Sequence, residues 1–224
     1  MAQFKIIATV DKNLGLTKAG KKPWFIPEDD EKFQELIEQT ASPDLTNAVI
    51  MDAELIGTET WRSLHAKKQN SVVIVIIDEV DNKKDINKKK ALSTKKVLRK
   101  LPKGTIQFDS LQDALDELGN RNDLDEIFVI GGEKLFTEAI LHPDLDEIYL
   151  THVEDDYDCD SFFPKNIPEE FQTVSVSDVM ESDGIEYSFV ILGRSDNEGD
   201  SSYECEHDCD DGCSSECHCG CETP

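Results

Sequence analysis

The chain has 224 residues, 48 acidic against 23 Lys and Arg, and a formal net charge of −25. That excess argues against nucleic acid and anionic membrane as main partners, because both are held through Lys and Arg. The longest apolar run, 72–77, falls far short of the roughly 20 residues a membrane span needs, and the first ten residues lack a signal-peptide pattern. The expectation is a soluble, cytoplasmic monomer that binds a small molecule.

In chain order, β-branched runs suggest strands over 4–10, 48–51, 72–77, 105–108, 127–130, 147–153, 171–176 and 185–192. Helical patterns lie over 28–40, 58–65, 110–118 and 133–141, with Ser110 placed as an N-cap. The alternation predicts an α/β fold: about eight strands, mostly parallel, with about four helices on both faces. The last two strands follow each other without a helix, which predicts an antiparallel C-terminal edge.

Two segments break the pattern. Ten of the 21 residues in 83–103 are Lys or Arg, a basic island in an acidic chain. It reads as a solvated loop or as a local attractor for a phosphate-bearing ligand. From 195 to 224 there are ten acids, no Lys or Arg, and six of the seven cysteines. This stretch cannot bury enough surface to offset its ordering entropy, so the expected division is a domain over 1–194 and a tail over 195–224. Cys205, Cys209, Cys213, Cys217, Cys219 and Cys221, with two nearby His, suit Zn²⁺ or Cu(I). The plain alternative is an unstructured tail. Cys159 stands alone in the body and reads as structural.

The residues around 24–33 carry chemistry of their own. Asp29 follows a Trp, opens an amphipathic helix and shares one helix face with Phe33. It reads either as part of an acidic first turn or as a carboxylate that binds an amidine-like heterocycle and assists protonation. Gly131-Gly132, between a buried strand and a helix, lets backbone approach a phosphate or simply makes the turn.

Four ordered segments resemble the dihydrofolate reductase family. The first runs from Ile6 through a Gly-containing loop to Pro23-Trp24. The second carries Asp29 and Phe33, the third Gly131-Gly132 and Phe136, and the fourth Thr151 followed by Asp160 and Pro164. Together they span about 3–193. The resemblance implies a dihydrofolate reductase-like fold and NADPH-dependent reduction of 7,8-dihydrofolate, with hydride to C6 and a proton to N5. NADH is left open. It implies catalytic roles for Asp29, Trp24 and Thr151, with Thr151 bonded to the acid. It implies a substrate pocket from Ile7, Ala8, Asp29, Phe33 and Ile130, where the Ile7 and Ile130 carbonyls meet the pterin amine. It implies cofactor contacts from Thr9, Leu16, Gly57, Thr58, Thr60, Gly131, Gly132 and Phe136, a cis Gly-Gly bond, and a mobile loop over 15–20.

Several positions depart from the family pattern. Residues 52–56 form an insertion before Gly57, and Thr58 stands where a basic residue is usual. Asn70 stands where an Arg pairs with the substrate's α-carboxylate. Losing such a pair costs on the order of 1.5–3 kcal/mol, roughly tenfold to over a hundredfold in affinity. Phe136 replaces a Tyr, Asp78 lies in the expected 2′-phosphate region, and Asp30 is charged where an apolar residue is usual. These departures keep two alternatives open: a weakened reductase-fold binding or interaction protein, and a reductase of another pterin or pyrimidine.

Overall fold

A computed structural model describes residues 2–66, 72–78 and 105–195. The calls on Asn70, on the basic island and on the six tail cysteines lie outside the described residues. Within them, the order is β1 (Phe4–Val10), β2 (Gly15–Thr17), α1 (Pro27–Glu38), β3 (Thr46–Asp52), a 3₁₀ turn (Ala53–Leu55), α2 (Glu59–Ala66), β4 (Val72–Ile77) and β5 (Ile106–Phe108). Then come α3 (Leu111–Leu118), β6 (Leu124–Val129), α4 (Glu133–Ala139), β7 (Leu145–Val153), β8 (Ser161–Phe162), β9 (Phe171–Val176), β10 (Met180–Ser182) and β11 (Ile185–Arg194).

One nine-stranded sheet runs β10-β11-β7-β1-β6-β3-β4-β5, with β9 also beside β11. The pairs from β7 to β5 are parallel, and β11 pairs antiparallel with β7, β9 and β10. This is the expected mostly parallel sheet with an antiparallel C-terminal edge. The ninth strand is β10, which the sequence pattern did not single out. The β2–β8 pair forms a second, two-stranded sheet.

Side-chain alternation sorts the core into two layers. On β1, Phe4, Ile6, Ala8 and Val10 are buried on one face, and they join a cluster with α3 and α4 through Leu115, Leu118, Leu135 and Phe136. On the other face Val49, Met51, Ile76, Phe128 and Ile130 meet Ile37 of α1 and Trp61 and Leu64 of α2. β3 is buried on both faces, so its run has no polar alternation. Each fully buried Ile or Leu in these layers contributes roughly 1.5–3 kcal/mol.

Local chemistry sets the helix ends. Ser110 accepts from the Asp113 N–H at 3.1 Å and so caps α3, as expected. Pro27 sits in the first turn of α1, where its missing N–H costs nothing, and Asp29 follows in the same turn. At the other end of α1, the buried Asn47 amide donates to the Ile37 and Gln39 carbonyls and accepts from the Glu126 N–H. The inserted residues do not loop out. Asp52 accepts from the Glu54 N–H at 2.8 Å, the 3₁₀ turn follows, and Ala53, Leu55 and Ile56 pack on the α1–α2 layer.

Candidate functional site

The parallel pairing of β1 with β7 places Thr9 opposite Thr151. Both hydroxyls reach the carboxylate of Asp29, which the first turn of α1 holds 6 % exposed. Thr151 Oγ1 donates to Oδ1 at 2.6 Å, and Thr9 Oγ1 donates to Oδ2 at 2.8 Å. The bond between Thr151 and the acid is the one the resemblance implied. Thr9, expected among the cofactor contacts, turns its hydroxyl to Asp29.

Lys22 was not singled out by the sequence. Its Nζ donates to Asp29 Oδ2 at 3.0 Å and to Asp30 Oδ1 at 3.3 Å. Burial works against the ammonium, but Asp29 and Asp30 outweigh it and hold Lys22 above its ordinary range. The charge at Asp30 thus has a partner. A lysine before Pro-Trp has no periodic signal, so only the folded geometry reveals it.

Ile7, Phe33 and Ile130 share the α1–α2 layer, with Phe33 one turn beyond Asp29. Ala8 points to the opposite layer and offers only backbone to the Asp29 side. Trp24 lies in a third cluster with Ile26, Val153 and Tyr187 and meets Tyr157 edge-on at 5.2 Å. Its buried indole N–H has no protein acceptor, which leaves a donor for a ligand or a water.

The Gly131-Gly132 peptide bond is cis. Gly131 has φ +108°, and a Cβ there would lie 2.9 Å from the Phe136 ring. Phe136 is buried and packs on Phe163 at 5.1 Å between ring centroids. A Cβ at Gly132 would meet nothing within 4 Å, so this backbone is open to approach. At the start of α2, Thr58 donates to the Leu55 carbonyl at 2.6 Å and accepts from the Trp61 N–H at 3.4 Å. Its hydroxyl therefore works as a helix cap. Gly57 precedes it at φ +89°, and Thr60 lies one residue into α2.

The expected mobile loop over 15–20 is strapped down at its start. Leu16 belongs to β2 and packs on the α3–α4 layer. Gly15 and Thr17 pair with β8, and Lys18 and Lys21 close a turn. The anchor is Asp11, fully buried. Its Oδ1 accepts from the Asn13 and Gly15 N–H groups at 2.9 and 2.7 Å, and Oδ2 accepts from the Tyr157 N–H at 3.2 Å. Burial pushes the Asp11 carboxyl up, but those N–H groups and the Cys159 thiol prevail and hold it below the usual range. Burial and the adjacent Asp11 charge push the Cys159 thiol up to about 12, so it stays a protonated donor. Gly15 is required here, since a Cβ would fall 2.5 Å from Cys159 Cβ.

The sign of the Asp11 shift fixes a prediction. Its contribution is fully present above its unfolded pKa near ~3.9 and is lost as pH falls through the lower folded value. Asp11→Asn turns an amide donor toward backbone donors, so it costs about 2–4 kcal/mol at neutral pH. Urea unfolding at a series of pH values reads the gap between the two proteins, which narrows below about pH 4. A gap independent of pH would contradict this role.

The mostly parallel α/β sheet carries a buried carboxylate one helical turn from Phe33 and an open Gly-Gly turn at a strand end, a setting suited to a small ligand. The dihydrofolate reductase family model matches residues 3–194, and the chain belongs to that family. The dihydrofolate reductase of Heliothis virescens is 30 % identical over 179 residues, covering 78 % of this chain and 86 % of that one. That of Drosophila melanogaster is 28 % identical over 203 residues, covering 86 % and 98 %. The solved Schistosoma mansoni dihydrofolate reductase superposes with a TM-score of 0.64 at 25 % identity, covering 86 % of this chain and 98 % of that one.

Proposed function

We propose that the chain reduces 7,8-dihydrofolate to tetrahydrofolate with NADPH. The observation that carries this reading is Asp29, buried and held by hydroxyls from two adjacent strands, one helical turn from Phe33. The two hydroxyls fix the carboxylate plane so that it can receive the N–H edge of a pterin and promote protonation at N5. Phe33, Ile7 and Ile130 supply the apolar wall, and Trp24 brings an indole donor. The open backbone at Gly132 fits the approach of a dinucleotide, which Gly131, Gly57, Thr58, Thr60, Leu16, Phe136 and the Thr9 backbone would hold, while Ala8 belongs with the substrate pocket. NADPH, when bound, supplies the hydride that reaches C6.

NADPH oxidation by the full chain with dihydrofolate tests the reading. A kcat of about 1 s⁻¹ or more supports it. The Lys22 ion pair on Asp29 favours a second reading, a reductase-fold protein that binds its ligand with little turnover. Binding of dihydrofolate without turnover would select that reading.

A further inference from the structure

Asp29 offers roughly four lone-pair positions, two on each oxygen. Thr151 takes one on Oδ1. Thr9 and Lys22 take both on Oδ2. A planar heterocycle that presents two parallel N–H donors needs one position on each oxygen. Thr9 sits on a strand paired on both sides, so its hydroxyl leaves Oδ2 only by a change at χ1, which is stiff in a β-branched residue. Lys22 can, because its long stem already reaches a second carboxylate, and the Asp30 side chain is half exposed.

We propose that Lys22 sets the ligand specificity of this site: its ammonium occupies the Oδ2 position, must shift to Asp30 before a bidentate ligand docks, and disfavours cationic heterocycles relative to neutral ones. The inference rests on the reductase reading, which makes Asp29 the ligand-binding carboxylate. A neutral 2-amino-4-oxo ring displaces the ammonium and then lies beside a Lys22–Asp30 pair. A protonated 2,4-diamino ring does the same and also meets the like charge of Lys22 a few ångströms away, a repulsion that water screens only in part because the Lys22 side chain is 26 % exposed. Lys22 therefore acts as a positioning residue through Asp29, and as a filter on ligand charge.

Isothermal titration calorimetry of the full chain tests this. The probes are 2,4-diaminopyrimidine, at a pH where its ring is protonated, and neutral 2-amino-4-oxopyrimidine. Lys22→Met is expected to tighten the cationic probe about 100-fold and the neutral one about tenfold or less, a selectivity change of about tenfold. Lys22→Arg keeps the charge and is expected to bind like the parent. Asp30→Asn removes the alternative partner, holds Lys22 on Asp29 and weakens both probes several-fold; its exposed position keeps this arm informative if Lys22→Met folds poorly. An unchanged probe ratio in Lys22→Met overturns the inference, as does a Lys22→Arg shift equal to that of Lys22→Met, or unaltered binding in Asp30→Asn. If no protein binds either probe and dihydrofolate is not reduced, the reductase reading fails and this inference falls with it.

Discussion

Replacing Asp29 with Asn lowers kcat for dihydrofolate reduction by about 10²–10⁴-fold, the range for removal of a general acid–base group. Among the described residues this carboxylate is the only acid that both Thr9 and Thr151 bond, and its amide cannot hold or relay a proton in the same way. The fold survives the exchange. Asn is isosteric: one hydroxyl keeps donating to its carbonyl oxygen, the other rotates to accept from its NH₂, and Lys22 keeps Asp30 as a partner. Circular dichroism should match the parent while single-turnover NADPH oxidation collapses. Equal rates in the two proteins would remove Asp29 from the chemistry and leave it as part of an acidic first turn.

The largest stability effect is expected at Gly131. An Ala there must adopt φ +108°, and its Cβ must sit 2.9 Å from Phe136 Cε2. The backbone part costs about 1–2 kcal/mol and the overpacking about 1–3 kcal/mol. Phe136 cannot retreat freely, because it is 3 % exposed and packed at a tilt against Phe163. The sum, about 2–5 kcal/mol, is a large share of a typical domain stability of roughly 5–15 kcal/mol. Thermal unfolding should drop by roughly 10 °C. A double-mutant cycle with Phe136→Leu separates the parts: the steric part is relieved by about 1–2 kcal/mol and the backbone part remains. A loss below about 0.5 kcal/mol for Gly131→Ala, the level of an inert surface change, would show that the turn tolerates a side chain.

Much of the sheet was legible because its strands carry their own pattern. The 4–10, 72–77 and 171–176 runs match β1, β4 and β9, since β-branched residues and alternation mark them. β2, β8 and β10 were not visible. They span two or three residues and exist because partners lie beside them, as Gly15 and Thr17 do against β8. The antiparallel edge followed from two strands without an intervening helix, but not which neighbours β11 would take.

At the site, Asp29, Phe33, Thr151 and Gly131-Gly132 were found through motif order, and the Asp29–Thr151 bond is present. Thr9 was named for a different partner, because its hydroxyl is aimed by the β1–β7 register rather than by local sequence. Thr58 stands at a helix start, and the cap bond that occupies its hydroxyl depends on the 3₁₀ turn built from the insertion. Lys22 left no trace in the pattern, since an ion pair between neighbours seven and eight residues apart across a Pro has no period.

The placement of β1 has a consequence for synthesis. It lies inside the sheet, and its two neighbours, β6 and β7, are encoded about 120 and 140 residues later. At roughly 5–20 residues per second, the ribosome needs on the order of 6–28 s to deliver them. For that time Phe4, Ile6 and Val10 have no sheet to enter, and the nascent segment is a target for chaperones. Its closure waits for the chain's second half, which makes a central strand of the finished protein one of the last to be secured.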